Sequence, residues 1–184
     1  MNNSQNFSNS ELAGVMIYSP DIHVDSRGAT TEWFSSQNLP PSFVDFRLNQ
    51  LLSVRSEENV IRGVHFSNSG NFQLKIVKCT YGLILDIVVD LRENSPTFGR
   101  YESFTLNSDE GKTLFIPHGF GHAYQVLSGS ATVQYALQTN FDFENEYVID
   151  PFDDYLGLPW RGENHILSSR DQGGAGFKTF FGLI

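Results

Sequence analysis

The stretch Leu74–Leu91, LKIVKCTYGLILDIVVDL, decides the fold class of this chain. It holds two runs rich in Ile, Val and Leu, Leu74–Thr80 and Leu83–Leu91, with the dipeptide Tyr81-Gly82 between them. Short runs of β-branched residues separated by a glycine turn are typical of β-strands. The stretch therefore predicts two strands joined as a hairpin.

Further strands are predicted around this stretch, whereas helix signals are scarce. The candidate segments are Thr31–Phe34, Tyr101–Leu106, Lys112–Ile116, Ala123–Leu127 and Ala131–Gln138, and the last two are expected to pair around Ser128-Gly129-Ser130. In Ala131–Gln138, the residues Val133, Tyr135 and Leu137 alternate on one face, which is the apolar, inward face. Many short strands with frequent turns predict an all-β sandwich or closed barrel, and the open mouth of a small barrel is a suitable place for a cavity.

Composition excludes several classes of protein. The chain has 184 residues, of which 40% are hydrophobic and 16 are Phe, so it is long enough for one domain with a full core. The formal net charge of −9 argues against non-specific binding to nucleic acid or to anionic membranes. No run of about 18 apolar residues is present, so no membrane span is predicted. The single cysteine, Cys79, excludes internal disulfides and a Cys-rich zinc site.

The two ends of the chain differ in character. Residues 1–12 are rich in Asn and Ser and predict a flexible polar arm, followed by a single domain over residues 13–184. Met1–Glu11 lacks the apolar segment of a signal peptide, so a cytoplasmic location is expected. The end, Phe177–Ile184, is apolar again, and we expect it to pack on the barrel as a short helix or strand.

Several ionisable residues stand where a cavity would use them, namely His65, Lys75, His122, Tyr135 and Asp171. Each also has a structural explanation. A histidine at a strand end is often merely exposed, a lysine in a strand is often an edge charge, and a tyrosine in a barrel is often part of the core. An aspartate in Ser-Ser-Arg-Asp often caps a turn or helix. Taken singly, these residues leave both interpretations open.

Other chemistries have weaker support in the sequence. A three-ligand metal site would need a second histidine two residues after His65, where the chain has Ser67. Asp86 and Asp90 share a strand face and are expected at strand edges or in polar networks rather than on a metal. There is no Gly-x-Ser-x-Gly elbow, and Cys79 lies in an apolar strand. No glycine-rich phosphate loop follows a strand and opens a helix.

A set of ordered motifs runs through residues 14–171. Two of these motifs each contain a histidine, namely Arg62-Gly63-Val64-His65-Phe66 and Ile116-Pro117-His118-Gly119-Phe120-Gly121-His122. The others are Asp25-Ser26-Arg27-Gly28 with Glu32, Gln73-Leu74-Lys75, Gly82–Arg92, Ser95-Pro96-Thr97-Phe98-Gly99, Leu156–Trp160 and Leu167–Asp171. In order and spacing, these segments resemble the motifs of the dTDP-4-dehydrorhamnose 3,5-epimerase family, and Tyr135 falls where that family has its catalytic tyrosine.

The resemblance implies a fold and an activity. The fold would be a cupin, or double-stranded β-helix (jelly-roll) barrel, with short peripheral helices. The activity would be that of an isomerase that inverts carbon 3, carbon 5 or both of a nucleotide-linked (dTDP in the family) 4-keto-6-deoxyhexose, in deoxysugar biosynthesis. The reaction passes through an enolate, and no cofactor or metal is required. Members of the family pair as homodimers, in which an N-terminal segment often reaches the partner's pocket.

The resemblance also implies roles for individual residues. His65 would be the base and Asp171 would orient it; Tyr135 would be the acid on the opposite face of the sugar, and Lys75 would stabilise the enolate oxygen. Arg27 and Arg62 would pair with the diphosphate. The remaining expected substrate-binding residues are Glu32, Gln50, His122, Phe141, Glu146 and Arg170.

The chain departs from the family pattern in three regions, and in two of them the family's aromatic residues contribute to gripping the nucleotide base. Gln50 is present, but Leu52 and Val54 stand where the family has Asn and Ser. Further departures are Ala29-Thr30-Thr31 in place of a run of Phe, Asn140-Phe141 in place of an aromatic pair, and Ala136 in place of a Lys. The resemblance therefore implies the catalytic chemistry more closely than the identity of the base.

Three other functions remain open at this point. The nearest is a relative that inverts one carbon only, or that acts on a sugar linked to another nucleotide. A sugar-nucleotide 3,4-ketoisomerase of the same fold lacks the closing Ser-x-Lys/Arg-Asp pattern seen at Ser168–Asp171. A sugar-binding protein without turnover would not need His65 and Tyr135 together as base and acid.

Overall fold

The computed structural model of the chain describes residues 6–67 and 73–183, and these are built almost entirely from β-strands. The strands are β1 Phe7–Asn9, β2 Met16–Tyr18, β3 Ile22–Asp25, β4 Gly28–Thr31, β5 Gln50–Glu57, β6 Ile61–Ser67, β7 Lys75–Tyr81, β8 Leu83–Asp90, β9 Tyr101–Asn107, β10 Thr113–Ile116, β11 Phe120–Val126, β12 Ser130–Leu137 and β13 Glu146–Val148. Short helical turns are a 3-10 helix at Pro41–Phe43, α1 Ser169–Gln172 and α2 Phe177–Phe180.

The strands form two antiparallel sheets that face each other. One sheet has the order β1-β2-β10-β7-β12-β5 and the other has the order β13-β6-β11-β8-β9, while β3 and β4 make a separate hairpin. Val77, Leu114 and Val133 of the first sheet meet Val88 and Tyr124 of the second in one buried cluster between them. The all-β jelly-roll prediction, with short helices at the periphery, is confirmed.

Two predicted pairings are wrong, although the strands themselves are present. β7 and β8 do not form a hairpin, because they belong to opposite sheets, and the same holds for β11 and β12. Each short turn instead carries the chain from one sheet to the other. The two turns pack together: the Leu83 amide donates to Ser128 Oγ over 2.9 Å, and a Cβ on Gly82 would lie 2.6 Å from that oxygen.

The apolar runs of β7 and β8 follow from this arrangement. Both faces of each sheet are covered, since a second cluster around Ile87 and Phe177 lies outside the five-stranded sheet and a third around Ile76 and Phe115 lies outside the six-stranded one. Strands that are buried on both faces lack the alternation of apolar and polar residues that is typical of a hairpin with one solvent-exposed face. The predicted strand Thr31–Phe34 is also shifted, because β4 ends at Thr31 and the next aromatic residues pack into the third cluster.

The ends of the chain are tied to the sheets. Phe7–Asn9 pairs with β2, and Leu12 is buried in the cluster between the sheets, so both are held by the fold; residues 1–5 lie outside the described part. At the other end, α2 buries Phe177 against the five-stranded sheet, which confirms that the apolar end packs back as a short helix.

A buried carboxylate holds the loop that follows β8. Asp90 accepts hydrogen bonds from the Arg92 guanidinium (2.7 Å), the Ser95 hydroxyl (2.5 Å) and the Thr97 hydroxyl (2.6 Å). Burial opposes ionisation of Asp90, but these bonds outweigh it and lower its pKa to about 2. The motif Ser95-Pro96-Thr97-Phe98-Gly99 therefore serves the fold, and Asp90 lies in a polar network as predicted.

The contact between β6 and β11 places two histidines side by side. His65 and His122 are register partners, and a bulge follows between His122 and Tyr124. Gly63 allows this close approach: its φ is +123°, and a Cβ there would lie 2.6 Å from both Ala123 Cα and the His122 carbonyl oxygen. The glycine of the Arg-Gly-Val-His motif is therefore required by the packing of the two strands.

Gly63→Ala is expected to lower the free energy of unfolding by about 2–4 kcal/mol, because the new methyl group collides with β11 in a strained conformation. Urea titration followed by circular dichroism measures the change. Gly129→Ala is the matched control, since a Cβ there meets no atom within 4 Å and its φ lies outside the left-handed region. Equal unfolding midpoints for the two variants would contradict the tight contact.

Candidate functional site

A cavity of about 470 Å³ opens between the two sheets at one end of the sandwich. Its walls come from the inner faces of β5, β6, β7, β11 and β12, from the chain around residues 141–146, and from α1. The lining residues are Leu52, Val54, Arg62, His65, Gln73, Lys75, His122, Tyr135, Leu137, Phe141, Phe143, Glu146, Ser168, Arg170 and Asp171. His65, Lys75, His122 and Tyr135 thus line one cavity, as predicted.

The side chains of His65 and Asp171 are in direct contact, at the distance of an ion pair. The His65 Nε2 lies 2.5 Å from Asp171 Oδ1, and the histidine is 25% exposed while the aspartate is 3% exposed. Ser168 caps α1 and accepts a hydrogen bond from the Asp171 amide, which fixes the carboxylate in place. Burial alone would raise the pKa of Asp171, but hydrogen bonding and the charge of His65 outweigh burial and lower it. Asp171 is therefore an anion whose carboxylate holds and orients the imidazole of His65.

A second histidine–carboxylate pair lies behind the first. His122 Nε2 is 2.9 Å and 3.0 Å from the two carboxylate oxygens of Asp86, whose side chain is fully buried. The His122 ring meets the Tyr135 ring edge to face, with centroids 5.7 Å apart. Asp86 thereby holds His122 against the tyrosine.

Lys75 and Tyr135 both titrate abnormally because they are buried. Burial lowers the pKa of Lys75, and the negative charges of Glu146 and Asp86 oppose this by raising it. Burial also raises the pKa of Tyr135 well above its usual value, and the neighbouring Asp86 raises it further. At neutral pH the Tyr135 phenol therefore carries its proton, and the pKa of Lys75 stays below its usual value because the effect of burial exceeds that of the carboxylates.

Two arginines supply positive charge to the cavity. The Arg62 Nε donates to Ser56 Oγ over 2.9 Å. The Arg170 guanidinium lies 3.4 Å from Glu146 Oε2 and 4.3 Å from the centre of the Phe143 ring. Guanidinium groups fixed in this way are suited to phosphate oxygens, since they present several donors in a rigid plane.

The structure does not bring every predicted site residue to this cavity. Arg27 is paired with Asp25 in the β3–β4 turn, with its side chain 87% exposed, and Glu32 follows the same hairpin on the surface. Gln50 does not line the cavity either, but its side-chain oxygen accepts a hydrogen bond from the Phe141 amide over 2.6 Å. Gln50 therefore positions the segment that carries Phe141.

Other lining residues were missed from the sequence. Phe143 and Ser168 carry no distinctive local signal, whereas the alternation in Ala131–Gln138 already placed Leu137 on the inward face of its strand. β5 was not recognised as a strand, although Gln50–Glu57 alternates between partly buried and exposed positions as an edge strand does. That alternation would have pointed Leu52 and Val54 inward.

The part of the chain that the structure describes holds neither a candidate metal centre nor a helix that could span a membrane. Within residues 6–67 and 73–183, no group of three or more His, Cys, Asp and Glu side chains is arranged to hold a metal ion. In the same ranges no helix is long and apolar enough to cross a membrane.

Comparison with known proteins gives consistent matches. The family model of dTDP-4-dehydrorhamnose 3,5-epimerase matches residues 9–179. The dTDP-4-dehydrorhamnose 3,5-epimerase of Mycobacterium tuberculosis is 33% identical over 91% of this chain and 85% of its own length. The dTDP-4-dehydro-6-deoxyglucose 3-epimerase of a Streptomyces species is 32% identical, over 88% and 83%. The crystal structure of a 4-keto-6-deoxy sugar epimerase from the novobiocin biosynthetic gene cluster of Streptomyces spheroides superposes with a TM-score of 0.89 at 29% identity, covering 97% of this chain and 91% of that one.

The electrostatic account of Lys75 can be tested directly. We expect Glu146→Gln to move the titration of Lys75 to lower pH, because the glutamate is the largest charge that opposes the effect of burial. NMR of labelled lysine side chains measures this, with Lys75→Met to assign the signal. Glu144→Gln is the matched control, since Glu144 is exposed two residues away. The same shift in both variants, or none in Glu146→Gln, would contradict the assigned cause.

Proposed function

Because the chain belongs to the dTDP-4-dehydrorhamnose 3,5-epimerase family, we propose that it is an isomerase that epimerises a nucleotide-linked 4-keto-6-deoxyhexose in deoxysugar biosynthesis. One observation carries the proposal. His65 lies on the five-stranded sheet and Tyr135 lies on the facing six-stranded sheet, and both line the same cavity. A sugar ring held between the sheets then has a base on one face and an acid on the other.

The first step is removal of a proton next to the ketone. The carbonyl at carbon 4 acidifies the hydrogens on carbons 3 and 5. His65 takes one of them, and the electron pair of the broken C–H bond moves into the ring to give an enolate. Asp171 stabilises the imidazolium that results. The Lys75 ammonium stabilises the enolate oxygen in a cavity of low dielectric, an interaction whose loss typically costs about 3–4 kcal/mol of transition-state stabilisation.

The second step returns a proton to the opposite face. The Tyr135 phenol gives its proton to the carbon while the enolate collapses to the ketone, so the centre is inverted. Solvent restores the protons, and His65 and Tyr135 return to their starting forms. The reaction moves protons only, so these side chains suffice without a redox step, and no cofactor is part of the proposal.

The nucleotide would lie toward the mouth of the cavity. Arg62 and Arg170 would meet the diphosphate, and Phe141 and Phe143 offer exposed rings on which a base can stack. The match to both a 3,5-epimerase and a 3-epimerase means that inversion at one carbon and at two carbons are both candidate outcomes. The chemistry of the base and acid is the same in each case.

Assembly and location form a further part of the proposal. We propose a homodimer in which the β3–β4 hairpin of one protomer reaches the cavity of its partner, where Arg27 and Glu32 would contact the substrate. Support comes from the exposure of this hairpin, whose Ile22 and Val24 are uncovered within one chain. We also propose a cytoplasmic location, since the one cysteine of the chain, Cys79, is buried and unpaired and requires no oxidising compartment.

The mechanism is tested by comparing proton exchange with inversion. His65→Ala should abolish both, because no enolate forms. Tyr135→Phe should reduce inversion by about 10²–10⁴-fold while deuterium exchange continues, because His65 can return a solvent deuteron to the same face. NMR of carbons 3 and 5 in deuterium oxide, with several nucleotide 4-keto-6-deoxy sugars, measures both rates.

Tyr81→Phe and His165→Ala are matched controls, since Tyr81 is exposed, His165 is partly exposed, and both lie outside the cavity. They should leave the two rates unchanged. If folded Tyr135→Phe keeps the normal ratio of exchange to inversion, Tyr135 is a core residue and the acid lies elsewhere. If the wild type exchanges no deuterium with any substrate in the panel, the proposed activity is wrong.

The shared site is tested by mixing two inactive variants. Arg27→Ala and His65→Ala protomers, refolded together, should regain about a quarter of the wild-type activity, because half of the dimers are mixed and one of their two cavities is intact. Light scattering at micromolar concentration should give the mass of a dimer throughout. A monomer, or a mixture with no regained activity, would refute the proposed sharing of the hairpin.

A further inference from the structure

One wall of the cavity offers a ligand no hydrogen-bonding side chain. Leu52 and Val54 of β5 line the cavity, and Leu137 of β12 continues the same surface; we call these three residues the aliphatic wall. The intervening residues of β5 point the other way, and Leu51 is 62% exposed. The inward direction of the two β5 side chains is therefore set by the pleat of the strand.

Polar groups bound the aliphatic wall at both ends of β5 but are already engaged. Gln50 accepts from the Phe141 amide at one end. At the other end Ser56 Oγ accepts from Arg62 Nε and lies 3.0 Å from the Tyr124 hydroxyl. The backbone of β5 pairs with β12 along its length. A hydroxyl group of the ligand that faced the aliphatic wall would lose its water and gain no partner.

The aliphatic wall lies next to the reacting ring rather than next to the nucleotide. Leu52 is the register partner of Tyr135, so their Cβ atoms are about 5 Å apart. Leu137 is likewise the register partner of Lys75 across β7 and β12. Since Tyr135 and Lys75 must reach the reacting carbons and the ketone oxygen, side chains beside them contact the same ring. Leu52 and Val54 are also spaced about 7 Å apart along the strand, which is more than one methyl group covers.

We propose that Leu52 and Val54 are specificity-determining residues, and that they make the enzyme prefer a 4-keto sugar with one hydroxyl fewer than a 6-deoxyhexose, that is, a 4-keto dideoxy sugar. The inference rests on the proposed epimerase function and adds the class of sugar. The methyl group of carbon 6 covers part of the aliphatic wall, and a ring carbon without its hydroxyl covers the rest. The remaining hydroxyl groups of the sugar ring would face the opposite wall of the cavity, which carries His65, His122 and Glu146.

The test compares two substrates that differ by one oxygen. Nucleotide-linked 4-keto-6-deoxyglucose and its 2-deoxy analogue are supplied separately, and kcat/KM for epimerisation is measured for each. The wild type should favour the 2-deoxy sugar by about 10- to 100-fold, because a buried hydroxyl without a partner is disfavoured by that factor. Leu52→Asn and the isosteric Val54→Thr each place a polar group on the aliphatic wall and should reduce or reverse the preference.

Leu51→Asn is the matched control, because it makes the same change one residue away on the outer face of β5, and it should leave the preference intact. If either sugar is epimerised but the wild type shows no preference, or Leu52→Asn and Val54→Thr lower both kcat/KM values equally, the aliphatic wall is only packing for Tyr135 and the inference is wrong. In that result the proposed function stands. Absence of exchange with every 4-keto sugar would instead remove the proposed function.

Discussion

The close approach of β6 to β11 is the contact on which the site depends. Gly63 lets the two backbones meet where any side chain would collide, and the register that results makes His65 and His122 neighbours. β11 is paired on its other edge with β8, which supplies Asp86 beneath His122. A looser contact between β6 and β11 would separate the two histidines, although β8 would still hold His122 through Asp86. The geometry of the cavity is thus fixed by backbone packing before any side-chain interaction contributes.

Charge in the cavity is balanced locally, although the chain as a whole carries −9. Arg62, Lys75 and Arg170 line it together with Glu146 and Asp171, and Asp86 lies behind them. Buried charges of this kind are tolerated only when each has a partner of opposite sign. Burial lowers the pKa of Lys75 and raises that of Tyr135, and the nearby carboxylates oppose the first shift and add to the second. An anionic substrate would therefore meet cationic side chains inside the cavity, although the protein as a whole is negatively charged.

The sequence revealed strands and reactive residues better than it revealed pairing. β8 and β11 were found because their apolar runs are long, and His65 and Tyr135 were found because their motifs are distinctive. The pairing of β7 with β8 was wrong because strands buried on both faces carry no signal of which neighbour they face. β5 was missed because the adjacent apolar residues Leu51 and Leu52 obscure the alternation of Leu52 and Val54 with the polar residues Ser53 and Arg55. Arg27 was assigned to the site from a motif, while its place relative to a cavity depends on tertiary and quaternary contacts that local sequence does not encode.

The switch of consecutive strands between sheets has a consequence for the chemistry. Because β7 and β12 lie in one sheet and β6 and β11 in the other, residues close in sequence face the ligand from opposite sides. Inversion requires a base and an acid on opposite faces of a ring, and in the proposed mechanism His65 and Tyr135 would take these places because they lie on facing sheets. The catalytic pair alone does not decide which carbon is presented to it. That choice depends on how the ring is seated, and the residues that seat it are those of the cavity wall. A relative named as a 3,5-epimerase and one named as a 3-epimerase match this chain at nearly the same identity, 33% and 32%, so overall similarity does not separate the two outcomes.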